Sequence, residues 1–264
     1  MDNSIMNLSL GQLACAYIFI VLVIGLVRYK GINREKDIVL ATFRMTVQLI
    51  LTGYVLIYIF DHPSAFMTIF VILVMEVFSI YTVIKRLKAD KVTKEFKKII
   101  AVSVLLGSSV CIFYFLLVVI RIKPWYDPQY FIPIAGMFLG NSMTAVTLGA
   151  NNLIEEMRTK KDLIEGALIL GASPKEASKE IVNRSFDQAL TPTINSMLGM
   201  GIVFLPGMMT GQILSGLSPL TAVSYQIATM LGILGAAAFA SFIMVEFGYR
   251  TFFNKRDQLR QVED

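Results

Sequence analysis

The sequence predicts an all-α integral membrane fold: seven transmembrane helices, the N-terminus outside, and a cytosolic helix-turn-helix segment between the fifth and sixth spans. Three observations carry this. Of the 264 residues, 55% are hydrophobic and only 16% charged, against about a quarter charged in soluble domains, and the mean hydropathy is +0.65. The apolar residues come in runs near the ~20 residues needed to cross a hydrocarbon core. The basic residues are concentrated in alternate connectors, which fixes orientation before it says anything of partners. A soluble enzyme is excluded on the first two counts.

In chain order the expected spans are 8–27, 38–60, 65–84, 99–120, 131–152, 189–214 and 220–247. The first follows an N-terminus, Met1-Asp2-Asn3-Ser4, without the basic region or small-residue cleavage site of a secretory signal, and is read as a mature span. With the N-terminus outside, the cytosolic segments are 28–37, 85–98, 153–188 and 248–264, which hold 21 of the 24 Lys and Arg; Arg121 and Lys123 lie outside and Arg44 within a span. The whole chain, 1–264, reads as one transmembrane domain with 153–188 as a cytosolic segment within it.

Cys15 and Cys111 fall inside spans and read as small buried side chains, so no disulfide framework follows. His62 lies in the short outer turn Asp61-His62-Pro63-Ser64 and reads as a solvated turn residue with no catalytic partner.

The segment 153–188 is longer than a connector requires. Leu163, Ile164, Ala167, Leu168 and Leu170 recur at near-helical spacing, and Gly171 sits where a left-handed C-terminal cap is wanted. Ser173-Pro174-Lys175-Glu176 then supplies a hydroxyl N-cap, proline at the first helical position and glutamate at the third. A second helix therefore starts at Pro174. Ala177, Ile181 and Val182 share one side, with Lys175, Lys179, Glu180 and Asn183 on the others.

Glu165-Gly166-Ala167, then Gly171, then Ile181 resembles the cytoplasmic loop of ABC transporter permeases, where Glu-Ala-Ala, a glycine and an isoleucine recur at that spacing. Here Gly166 replaces the middle alanine, and Asn183-Arg184 stands where Leu-Pro often closes the motif. The resemblance implies that Glu165, Gly166, Ala167, Gly171, Ala172, Ser173, Pro174 and Ile181 belong to an element that plugs into an ATP-binding subunit.

Further stretches resemble one permease family, that of the bacterial iron exporters, whose plant relatives are associated with aluminium tolerance. They are Arg44 with Gln48-Leu49, Pro133-Ile134-Ala135-Gly136-Met137, Gly140-Asn141, Leu170-Gly171-Ala172-Ser173-Pro174, Leu205-Pro206-Gly207-Met208-Met209 with Gly211, and Tyr225-Gln226. The resemblance implies a homodimeric permease in the bacterial inner membrane, exporting iron or another metal. A separate ATP-binding chain would carry the ATP and magnesium, and neither a cofactor of this chain nor a nucleic-acid partner is implied. The absence of a Walker-type phosphate loop from this sequence fits that division of labour.

Within the spans, ionisable groups are functional candidates because each costs roughly 3 kcal/mol at the bilayer centre unless paired or wetted. At about 1.5 Å per residue, Arg44 and Glu76 lie about 9 and 12 Å from the cytosolic ends of their spans, depths at which they could meet, as a structural pair or in the pathway, while Arg44 could instead snorkel to the cytosolic surface. Asn141, Thr144 and Asn151 fall near one stripe of the fifth span, with Gly136 and Gly140 as a small-residue surface. Pro206-Gly207 is expected to kink the sixth span. Met208, Met209, Met137, Met143, Met197 and Met200 supply thioethers, which suit soft metals but also serve as gap filler. The candidate path is Arg44, Gln48, Glu76, Met137, Asn141, Thr144, Asn151, Pro206, Gly207, Met208 and Met209. Two other readings stay open: an ATP-independent secondary transporter using Arg44 and Glu76 for coupling, and a structural or regulatory membrane protein without substrate.

Overall fold

The computed structural model describes residues 9–87 and 92–260. The expected start of the first span at residue 8, the N-terminal tetrapeptide, and parts of the segments 85–98 and 248–264 lie outside them. The described residues are helical, with two isolated bridges and no strand. Six helices are long and apolar enough to cross a membrane. The chain divides into two compact units, 1–63 with 214–216, and 64–213 with 217–264.

The smaller unit contains α1 (Leu10–Ala16), α2 (Ile18–Tyr29) and α3 (Glu35–Asp61). Ser9 and Gln12 close a capping box on α1, and α1 and α2 together make one apolar run. The Tyr17 hydroxyl, between them, lies 2.6 Å from Thr46 Oγ1 of α3. Most apolar side chains of α2 are exposed and none is fully buried, as expected of a surface whose solvent is lipid. Cys15 is exposed as well, contrary to the expectation of a buried thiol, because the whole of α1 lacks a buried residue.

The larger unit contains α4 (Ala65–Lys85), α5 (Lys94–Tyr114, continued as a π-helical stretch Phe115–Ile120), α6 (Pro128–Thr159), α7 (Lys161–Ile169), α8 (Pro174–Gly199), α9 (Gly207–Leu214, of which Leu214 falls with the smaller unit) and α10 (Pro219–Gly248). Close contacts fix the directions of these helices. A Cβ on Gly107 of α5 would lie 2.5 Å from the Ala240 Cα of α10, and one on Gly248 would meet Phe96, so α5 and α10 are antiparallel. Gly232 abuts Phe138, and Gly149 abuts Met244, so α6 and α10 are parallel. Met75 faces Gly136 and Asn151 donates to the Arg86 carbonyl, which makes α4 parallel to α6.

α8 runs the other way. Lys175 near its start pairs with Glu246, Ser185 and Ala189 face Gly149, and Met200 just past its end accepts from Gln226. It therefore traverses the unit from the end of α10 back toward its beginning, about 39 Å at the usual helical rise. Among the described residues, Lys85, Arg86, Lys94, Arg158, Lys160, Lys161, Lys175 and Arg250 gather at one end of the unit, and Arg121 and Lys123 lie toward the other. One apolar core sits toward the basic end, around Phe96, Leu153, Ile164, Ile181 and Tyr249. A second, around Phe115, Phe131 and Phe138, sits toward the other. Ala145, Ala189 and Ala237 lie between them.

The span expected at 189–214 is not one helix. The second cytosolic helix and the first part of this span are a single helix, α8, which ends at Gly199; α9 begins at Gly207. Gly201 takes a left-handed φ of +82°, and Leu205 precedes a proline, a position that disfavours helix. Pro206-Gly207 thus opens α9 rather than kinking a continuous span. Pro192, by contrast, is accommodated inside α8.

Candidate functional site

The segment singled out by sequence forms a compact protrusion at the basic end of the larger unit. α7 stops at Ile169 because Gly171 adopts φ +93°, where a side chain is strained. Its N–H and that of Ala172 bond back to the Leu168 and Ala167 carbonyls. Ser173 caps α8: its hydroxyl accepts from the Glu176 amide at 3.3 Å, and the Glu176 carboxylate accepts from the Ser173 amide at 2.9 Å and its hydroxyl at 2.7 Å. Those bonds, the backbone one foremost, hold the Glu176 carboxyl below the usual range. The capping box and the glycine stop expected from sequence are both present.

The apolar face of α7 is narrower than expected. Ile164 is fully buried, and Ala167 and Leu168 are half-buried, but Leu163 is 66% and Leu170 89% exposed, with Ile169 at 85%. The helix is nine residues long, so only one turn of it can reach the core while its two ends diverge. Ile181, from α8, is buried in the same cluster as Ile164, together with Phe96 of α5, Leu153 and Met157 of α6, and Tyr249 beyond α10. A Cβ on Gly166 would meet nothing within 4 Å, so the glycine in place of the middle alanine leaves the fold unaltered. Glu165 pairs across one turn with Lys161.

Ion pairs fasten the protrusion to the bundle. Glu156, at the end of α6, accepts from Lys160 at 2.7 Å and lies 3.8 Å from Arg184 of α8, which also pairs with Glu180 at 2.6 Å. Lys175 reaches Glu246 of α10 at 3.6 Å, and the Ser185 hydroxyl donates to Asn152. Sequence reasoning named neither Glu156 nor Glu246. Of these four acid–base pairs, Glu156–Lys160 and Glu180–Arg184 show an i, i+4 offset in the sequence, whereas Glu156–Arg184 and Lys175–Glu246 join different helices and leave no local spacing to read.

A groove of about 680 Å³ opens beside α7, between Glu165, Leu168 and Ile169 on one side and Asn254, Asp257 and Arg260 on the other. The second wall is a C-terminal strap. Asn254 Oδ1 accepts from the amides of Arg256 and Gln258, Phe253 bridges Leu259, and Arg260 pairs with Glu95.

The intramembrane candidates fall in both units. Glu76 of α4 is 3% exposed and accepts from the Ser109 hydroxyl of α5. Arg44 and Gln48 lie exposed on α3 of the smaller unit. Asn141 and Thr144 donate to the carbonyls one turn back, Met137 and Gly140, while Asn151 reaches across to α4. Asn141 and Asn151 are half-buried and Thr144 is exposed; Met137, Pro206, Met208 and Met209 are half-buried and Gly207 exposed. Among the described residues no group of three or more His, Cys, Asp or Glu is placed to hold a metal ion.

Helices of this length and apolarity, with basic residues gathered at one end and a capped protrusion, define a multi-pass, all-helical membrane protein. The pattern described as "Uncharacterised protein family (UPF0014)" matches residues 10–253, and the chain belongs to that family. It is 35% identical over 254 residues, 96% of this chain and 95% of the relative, to the "Probable iron export permease protein FetB" of Escherichia coli (strain K12). It is 34% identical to the Arabidopsis thaliana "Protein ALUMINUM SENSITIVE 3" over 247 residues, covering 94% and 88% of the two chains. To the Bacillus subtilis (strain 168) "UPF0014 membrane protein YjkA" it is 34% identical over 256 residues, covering 96% and 98%. No solved structure matches.

Proposed function

We propose that this chain is the membrane subunit of an ATP-driven exporter, moving iron or another metal cation across the bacterial inner membrane as a homodimer with a separate ATP-binding chain. The observation that carries the reading is the protrusion α7–α8. It presents Ile169 and Leu170 to solvent while Ile164 and Ile181 sit in the core shared by α5, α6 and α10. A docking element must be exposed at its tip and stiffly joined to the spans at its root, and this one is both. The iron comes from the name of the Escherichia coli relative.

The topology is seven crossings with the N-terminus outside. α6 and α10 are parallel, so the chain between them has to return across the membrane, and α8 with the stretch to α9 is the element that does so. The basic end of the larger unit is then cytosolic, which puts the protrusion where an ATP-binding subunit can reach it. ATP binding in the partner draws two protrusions together, and α8 carries that displacement into the bundle.

The test is to co-purify the chain in lipid with its candidate ATP-binding subunit and to measure ATP hydrolysis against ferrous iron, with other metals as controls. A stable complex with turnover raised selectively by iron is the expected result. A complex indifferent to metals removes the substrate and keeps the class. Absence of any complex overturns the class in favour of an ATP-independent secondary transporter.

A further inference from the structure

The end of α8 and the first half of α10 meet away from the basic end of the larger unit, and the side chains at that junction form a distinct donor set. Met197, in the last turn of α8, and Met200, at its C-terminal cap, are both half-buried. Met200 Sδ accepts from the Gln226 amide nitrogen at 3.8 Å. On α10, Gln226 is 6% exposed and Met230, one turn further along, 9%. All three methionines pack in the apolar core around Phe115, Phe131 and Phe138.

Two polar atoms of this stretch, Gln226 Oε1 and Thr229 Oγ1, are buried with no hydrogen-bond partner among the described residues. Local backbone does not account for either. Thr144, Thr147 and Thr191 each donate to the carbonyl one turn back, a bond equally open to Thr229 and not made by it. The Gln226 amide, with its nitrogen turned to Met200, leaves its oxygen buried and unused. Polar atoms so placed are costly and call for an ordered water or a ligand. A buried water needs several polar partners, and thioether sulfur is only a weak acceptor. A cation, by contrast, takes lone pairs from thioether, amide oxygen and hydroxyl alike.

We propose that Met197, Met200 and Met230, with the Gln226 amide oxygen and the Thr229 hydroxyl, form a binding site for a soft univalent cation of the copper(I) class at the junction of α8 and α10. Thioethers select soft ions over hard ones. The donors are all neutral, so a single positive charge is the most that this apolar core accommodates without a counter-charge. Methionine is unbranched and adaptable, which lets the sulfurs close on the ion from both helices. The site stands on the geometry of the larger unit; only its use as a resting place for cargo rests on the transporter reading.

The experiment uses the full chain in lipid and chloride-free buffer, with Cys15 and Cys111 replaced by alanine so that no thiol competes, and silver(I) as a redox-inert probe of the same class. Titration calorimetry is expected to find one tight equivalent per chain that a large excess of manganous ion does not displace. Met197→Leu and Met200→Leu, which nearly conserve volume, are each expected to weaken it by roughly tenfold or more. Met157→Leu, in the other apolar core, is expected to leave it unchanged. The thermal transition of each variant shows whether sulfur alone has been lost, and either of the two junction variants suffices if the other does not fold. No tight equivalent in the parent, an affinity unchanged in the folded junction variants, or displacement by manganous ion overturns the inference. Silver bound at this junction by a chain that recruits no ATP-binding subunit supports the site and overturns the transporter reading instead.

Discussion

α8 and α10 run antiparallel through the same unit, yet they are built for different surroundings. α10 buries Ala236, Ala237, Ala240 and Ser241 against α5 and α6 and turns Leu231, Phe239, Phe242 and Phe247 outward, an apolar exterior suited to hydrocarbon. α8 buries a stripe of comparable length and turns Asp187, Gln188 and Asn195 outward. α8 is not among the six helices long and apolar enough to cross a membrane, although its course through the bundle is comparable in length.

The largest effect is expected where α10 is packed most tightly. Gly107→Ala places a methyl 2.5 Å from the Ala240 backbone, and backbone cannot yield as a flexible side chain does. We expect α5 and α10 to be forced apart at a cost of ~3 kcal/mol or more, seen as a fall of many degrees in the thermal transition of the purified protein. A transition within a degree or two of the parent would show that the α5–α10 contact is not the tight seam described.

Gly171→Ala acts on the turn between α7 and α8. It forces a side chain into φ +93° at the turn that sets the start of the helix, costing ~1–3 kcal/mol. Protection of the α7 and α8 amides in hydrogen exchange should fall, with α10 protection retained. Equal loss in both helices would mean that the protrusion and the bundle unfold as one.

Two serines sharpen the contrast further. Ser185 of α8 donates to Ile181 and Asn152, and Ser185→Ala should destabilise by ~1 kcal/mol. Ser241 of α10 is fully buried with no hydrogen-bond partner among the described residues, and Ser241→Ala should be neutral or stabilising. Chemical denaturation of the two variants side by side reads the difference in sign.

The smallest effect concerns the cap. The folded Glu176 carboxyl is held below its ordinary range by Ser173, so its contribution is complete above the ordinary glutamate range, near pH 4, and is lost as pH falls through the depressed folded value. Exchange at the start of α8, corrected for intrinsic rates, should show this acid loss in the parent and not in Glu176→Gln.

What the sequence disclosed was local. Ser173, Pro174, Glu176 and Gly171 set backbone conformation within a few residues, so the turn was legible without knowing what surrounds it. The basic connectors showed the polarity of the bundle for the same reason. The course of α8 was not legible, since nothing between Pro174 and Gly199 says whether the helix should break at the membrane surface. Its exposed Asp187, Gln188 and Asn195 keep it from reading as an apolar span, although Ile194 and Leu198 are exposed beside them. Glu76 illustrates the remaining gap: depth along a span does not give rotation about a neighbouring helix, so the hydrogen bond it accepts from Ser109 of α5 was not legible.

The unbroken run of α8 from Pro174 to Gly199 makes it a lever. Its fulcrum is the contact of Ser185 and Ala189 with Gly149, which leaves one arm of about 16 Å toward the protrusion and another of about 22 Å toward Met200. A tilt of about 10° about that point carries the two tips in opposite directions by roughly 3 and 4 Å, so a stroke applied at the protrusion arrives undiminished, and reversed, at the far end of the bundle.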